Sequence, residues 1–177
     1  MRAGLYVIFL LLVVVGLNGC RNTSENAEIR QQLVVSWELV SNFTDVPNGF
    51  EARFTLTNNS TDDLTDANWA LFFNMAPRPI LSNKTPQPAT VQHINGDWYK
   101  LVPAKGFSLK PGASTDIRYV GTEAVTKVTD APLGLYVVLY DKDGKEKTVA
   151  EIANYTIKPF VRKEQRLRGP DDLLTAA

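Results

Sequence analysis

Few residues in this 177-residue chain could carry chemistry. The sole histidine lies in His93-Ile94-Asn95-Gly96-Asp97-Trp98, where an imidazole and the Asp97 carboxylate could form an acid–base pair. Asn-Gly is also the strongest two-residue hairpin signal, so a tight turn at Asn95-Gly96 is expected, with positive φ at both positions and the strands of His93 and Trp98 paired across it. Asp141-Lys142-Asp143-Gly144 resembles the start of a calcium loop, but Lys145 takes the next ligand position and no Glu follows at the required spacing. A hairpin turn is expected there as well. One Cys and one His argue against a metal site or a disulfide framework within a monomer. There is no glycine-rich phosphate loop after a strand, no Cys-x-x-Cys, no Gly-x-Ser-x-Gly, and no second histidine to activate a serine. No catalytic residue, metal ligand or cofactor is assigned.

The aromatic residues remain. Trp37, Trp69, Trp98, Tyr99, Tyr119, Tyr136 and Tyr140 belong to the two types that stack on sugar rings, with an apolar face and a polar rim. Aromatics are equally at home in strands, and Trp37 and Trp69 are expected in the core. Trp98 flanks a turn and is the first candidate for a sugar-facing residue. Tyr99, on the opposite face of the same strand, is the second.

The elements that must position these groups follow from composition and pattern. Lys+Arg and Asp+Glu number 19 each, so nothing points to a nucleic-acid surface. A hydrophobic content of 44% is that of a globular domain. Residues 1–19 read as a secretory leader: Arg2 precedes an apolar run, Leu5 to Val15, shorter than the roughly 20 residues of a spanning helix. The run ends in Leu17-Asn18-Gly19-Cys20, which resembles the bacterial lipobox, whose Cys is diacylated and becomes the new N-terminus. Cys20 is therefore the expected lipidation site, on a protein held in the bacterial cell envelope at a membrane, the outer membrane or the cell surface. Residues 20–32 form a polar tether.

From Leu33 the apolar pattern has period two. Leu33, Val35, Trp37 and Leu39 share a face, and Phe50, Ala52, Phe54 and Leu56 point inward while Glu51, Arg53, Thr55 and Thr57 point out. Residues 68–75 and 134–140 are apolar on both faces, as in central strands. Turn signals separate these runs at Val46-Pro47-Asn48-Gly49, Asn58 to Asp63, Lys110-Pro111-Gly112 and Asp141 to Lys145. Residues 76–88, with four prolines, read as a long loop. No helical stripe exceeds about two turns. Roughly eight short strands predict an all-β, antiparallel β-sandwich over residues 33–160, followed by a charged, linker-like tail at 161–177.

Four stretches together resemble the N-terminal domain of bacterial chitobiases and β-N-acetylhexosaminidases of glycoside hydrolase family 20. They are Asn68-Trp69-Ala70-Leu71-Phe72-Phe73-Asn74, His93 to Pro103, Phe107-Ser108-Leu109-Lys110-Pro111-Gly112, and Ala131-Pro132-Leu133-Gly134-Leu135-Tyr136. The resemblance implies a sandwich similar to cellulose-binding modules and assigned in the family to carbohydrate binding. In those enzymes it precedes a small α/β domain and a catalytic barrel bearing a His-x-Gly-Gly-Asp-Glu motif, whose acidic pair drives substrate-assisted cleavage. This sequence has no Asp-Glu dipeptide, and its 177 residues fall short of the ~250 of a typical barrel.

The expected role is that of a non-catalytic, lipid-anchored domain binding or positioning on chitin-type, N-acetylglucosamine-containing glycans. A separately encoded hexosaminidase catalytic domain is an expected partner, and nucleic acid is not. The alternative is a purely structural first domain of a split or truncated hexosaminidase.

Overall fold

The computed structural model describes residues 32–42, 44–76, 80–81 and 85–158. The leader, Cys20, residues 20–31 of the tether and the tail at 161–177 lie outside the described residues. Within them are β1 (Leu33–Ser41), β2 (Phe50–Asn58), β3 (Leu64–Thr65), β4 (Trp69–Asn74), β5 (Ile80–Leu81) and β6 (Ala89–Asn95). These are followed by β7 (Trp98–Pro103), β8 (Ser108–Leu109), β9 (Ser114–Gly121), β10 (Leu133–Tyr140), β11 (Glu146–Glu151) and β12 (Asn154–Ile157). A single 3₁₀ turn, Val128–Asp130, precedes β10.

Two five-stranded sheets form, in the orders β12-β1-β2-β9-β5 and β11-β10-β4-β7-β6, with a two-stranded β3-β8 ribbon beside them. The alternation of β2 is realised as expected, with Phe50, Ala52, Phe54 and Leu56 buried between the sheets. β4 is the central strand of the second sheet, which explains why its sequence is apolar on both faces.

The core is an aromatic chain that crosses from sheet to sheet. Phe50 meets Tyr119 edge-on at 5.9 Å, and Tyr119 stacks on Phe54 at 5.7 Å. Phe54 reaches Phe73 of the other sheet at 5.2 Å, and Phe73 stacks on Tyr99 at 5.7 Å. Tyr119 and Trp37 carry polar atoms into this dry interior, so they pair: Trp37 Nε1 donates to the Tyr119 hydroxyl at 2.7 Å. Burial drives the Tyr119 phenol far above its ordinary value, so it stays neutral and fixes the pairing.

The turns match the signals in the sequence. Gly49 N–H donates to the Val46 carbonyl at 2.8 Å, with Asn48 at φ 54°. Asp141 Oδ1 accepts from the N–H groups of Asp143 and Lys145, both at 2.9 Å. That carboxylate is spent on its own loop.

Three features differ from the expectation. The sandwich is not wholly antiparallel, because β12 runs parallel to β1 at the edge of its sheet. The stretch 76–88 contains β5, which pairs with β9. The hairpin after β6 turns on Gly96-Asp97 rather than Asn95-Gly96, since Asn95 pairs with Trp98 and an irregularity between His93 and Asn95 shifts the register by one. Only Gly96, at φ 51°, then needs the left-handed region, the pattern of hairpins with Gly at the first central position.

Candidate functional site

The outer faces of the two sheets are chemically opposite. On the first sheet, Glu38, Arg53, Thr55, Thr57, Asp116 and Arg118 alternate outward between core residues. Arg53 lies directly across from Arg118, a like-charge pairing that would be unfavourable alone. Acidic groups offset it: Arg53 pairs with Glu38, and with Asp116 at 2.9 Å, while Arg118 pairs with Glu51 at 2.7 Å. The hydrogen bond from Arg53 holds the Glu38 carboxyl below the usual carboxylate range, and the same bond raises the Arg53 guanidinium. Thr57 and Ser114 complete the face with a 2.7 Å hydroxyl pair. These pairs cover the face with charges of both signs.

On the second sheet the register lines up a different set. One cross-strand row runs Gln92–Lys100–Phe72–Tyr136–Glu151. The neighbouring row runs Asn95–Trp98–Asn74–Leu133. Leu71 and Phe73 point into the core, so Phe72 between them points out. The Phe72 and Tyr136 rings are stacked, with centroids 4.9 Å apart and planes 5° from parallel. Trp98 closes on the other side of Phe72 at 5.8 Å. The Trp98 side chain also hydrogen-bonds the Tyr136 hydroxyl; an indole can only donate, so its N–H is the donor. Desolvation raises the Tyr136 phenol above its ordinary value, against the opposing effect of that bond. The three rings thus form one fixed unit, half-exposed, with Leu133 beside it 48% exposed. An exposed apolar cluster with a polar rim is the surface signature of a binding site.

Of the aromatic residues named from the sequence, Trp98 and Tyr136 lie in this cluster. Tyr99 does not: it is 3% exposed and stacked on Phe73 in the core, because strand alternation sends the residue after Trp98 inward. Its candidacy as a second sugar-facing residue is corrected accordingly. His93 bonds through Nε2 to the Gly96 carbonyl at 2.9 Å and lies against Tyr99 at 5.0 Å, so it braces the hairpin that carries Trp98. Phe72 and Tyr136 complete the unit. Their signal was the two-faced apolar character of 68–75 and 134–140, which reads as burial until the register is known.

Comparison with known proteins gives the following. The model of a family described as "Putative carbohydrate binding domain" matches residues 32–175. Among solved structures, the chain is similar to the GH20 exo-β-N-acetylglucosaminidase from Vibrio harveyi, at 18% identity and a TM-score of 0.55. That alignment covers 75% of this chain and 20% of the Vibrio enzyme, so the chain spans about a fifth of its length. The chitin-binding domain of Chi18aC from Streptomyces coelicolor aligns at 20% identity and a TM-score of 0.42, covering 60% of this chain and 90% of that domain. Carbohydrate-binding module CBM3b from cellobiohydrolase 9A of Clostridium thermocellum aligns at 14% identity and 0.43, covering 67% and 96%. No curated protein matches.

Proposed function

The chain belongs to the family described as "Putative carbohydrate binding domain", and from that premise we propose that it binds, or positions a partner on, N-acetylglucosamine-containing glycans without cleaving them. The observation that carries this reading is the Trp98–Phe72–Tyr136 unit on the outer face of the second sheet. The first sheet, built on the same alternation, covers its outer face with paired charges. An aromatic cluster kept in water on one face only is surface held for a ligand. Tyr and Trp suit a sugar because each offers an apolar face beside a polar atom.

Purified protein is expected to sediment with insoluble chitin. Replacing both Trp98 and Tyr136 by alanine is expected to abolish that retention, while Arg53→Ala, on the other sheet, leaves it intact. Aryl N-acetylglucosaminides are expected to stay uncleaved above a mock-purified control. Wild-type protein left in the supernatant would overturn the reading. It would favour a structural domain that packs on its neighbours, as the one-fifth coverage of the Vibrio enzyme would accommodate.

The proposal extends to a lipid anchor at Cys20, supported by the apolar leader ending in Leu17-Asn18-Gly19-Cys20. Cys20→Ser is expected to leave the chain uncleaved or to release it from the membrane fraction. A variant of unchanged mass and unchanged partition would defeat the anchor.

A further inference from the structure

We infer that the cross-strand pair Asn74–Leu133, beside Trp98, reads the acetamido group of the glycan, so that the domain separates N-acetylated polymers from their unsubstituted and deacetylated counterparts. The inference rests on the carbohydrate-binding reading above and names the residues that give it selectivity.

The group to be recognised is small and two-sided. An acetamido substituent carries a planar amide, with one donor and one acceptor, and ends in an apolar methyl group. The hydroxyl that takes its place in cellulose has no methyl. The amine left by deacetylation has neither methyl nor carbonyl, and is a cation at neutral pH. A reader of the acetamido group needs a neutral side chain with both donor and acceptor, and an apolar side chain next to it. Among side chains, a carboxamide meets an amide on both counts.

The row Asn95–Trp98–Asn74–Leu133 sets those two types side by side. Asn74 on β4 and Leu133 on β10 are register partners, which puts their Cβ atoms about 5 Å apart. Both are exposed, Leu133 at 48%. Trp98 is the partner of Asn74 on its other side, one strand spacing of ~4.8 Å away. A sugar held at the indole thus has its substituents over the Asn74–Leu133 pair.

Two observations set this carboxamide apart. Asparagines elsewhere in the domain spend their amides on pinning loops. Asn42 holds Val125 with bonds of 2.7 and 2.9 Å, and Asn58 donates to the carbonyls of Asp62 and Leu109. Asn68 accepts from the Thr65 N–H and donates to the Asp63 carbonyl. The Asn74 carboxamide makes no such bond among the described residues. Space is also kept for it. Gly134, at φ 62°, sits in the irregularity of β10 between Leu133 and Tyr136, and a Cβ there would lie 3.3 Å from Asn74 Nδ2. Glycine suits both the left-handed backbone and the amide across from it.

The row is also set before a ligand arrives. Met75 N–H donates to the Asp97 carbonyl at 2.8 Å, tying the β6–β7 turn to the end of β4. His93 braces the same turn at Gly96. Asn74 and Trp98 are held at one spacing, so little order has to be gained on binding.

The test measures retention of the full chain on insoluble chitin, on cellulose, and on chitosan before and after chemical re-acetylation. Wild type is expected to be retained by chitin and by re-acetylated chitosan at least tenfold more than by cellulose or untreated chitosan. Asn74→Leu keeps the shape of the side chain and removes its hydrogen bonding. It is expected to lower retention on chitin about three- to tenfold, the worth of one hydrogen bond, and to leave retention on cellulose unchanged. Leu133→Ser is expected to shift the two polymers in the same way. Asn95→Leu, on the far side of Trp98 from Leu133, is expected to change retention on chitin less than about twofold. All three variants are expected to keep the wild-type circular dichroism. Equal retention of the wild type on chitin and cellulose would overturn the inference and leave carbohydrate binding standing. So would a loss in Asn74→Leu and Leu133→Ser that is proportionate on both polymers, or a larger loss in Asn95→Leu than in Asn74→Leu. Retention on none of the polymers would bring down the carbohydrate reading itself.

Discussion

Phe54→Ala is expected to destabilise the domain by about 3–5 kcal/mol, the range for removing a fully buried aromatic ring. Phe54 is 0% exposed, and its ring touches Tyr119 within its own sheet and Phe73 in the facing one. The substitution therefore opens a cavity at the contact that joins the two layers. Phe73 is the inward neighbour of Phe72 on β4, so loosening it also loosens the strand under the aromatic face. Urea or thermal unfolding checks this. A loss below about 1 kcal/mol would mean that the sheets do not depend on this contact.

Gly121→Ala is expected to cost roughly 1–3 kcal/mol, because a methyl group has no room in a packed core. Gly121 closes β9 opposite Phe50, and a Cβ there would lie 2.4 Å from a carbon of the Phe50 ring. Phe50 is fully buried and edge-on to Tyr119, so its ring cannot swing aside without disturbing the Tyr119–Trp37 pair. Phe50→Leu in the Gly121→Ala background should recover part of the loss, since the smaller side chain vacates that position. The coupling energy of the double-mutant cycle measures it. Simple additivity of the two substitutions would show that the ring and the missing methyl do not compete.

Neither effect reads directly from the chain, yet much else does. Strand existence and facing were legible because a two-residue period is local. Phe50, Ala52, Phe54 and Leu56 must share a side whatever the partner strand. The turns were legible for a similar reason, since Asn48-Gly49 and Asp141 to Gly144 need only their own backbone and side chains. The hairpin at Gly96 shows where local reasoning falls short. The Asn-Gly signal located the turn, but its register moved by one when β6 and β7 paired with an irregularity.

Trp98 was found in the sequence because it adjoins that turn, whereas the pairing of the strands decided what surrounds it. Phe72 lies 26 residues before Trp98 and Tyr136 lies 38 after it, and only the order β10-β4-β7 sets them side by side. The same distinction separates Trp98 from Tyr99, adjacent in the chain and sent to opposite sides of one sheet. Which of the two sides would be core and which would meet solvent depended on where the second sheet packed. The parallel edge strand β12 illustrates the same point, because Asn154–Ile157 pairs with a strand more than a hundred residues away. Period, turn chemistry and composition are properties of neighbours along the chain, and they fixed the all-β class. Sheet order and register are set by burying both inner faces at once, and they alone made a surface out of three separated aromatic residues.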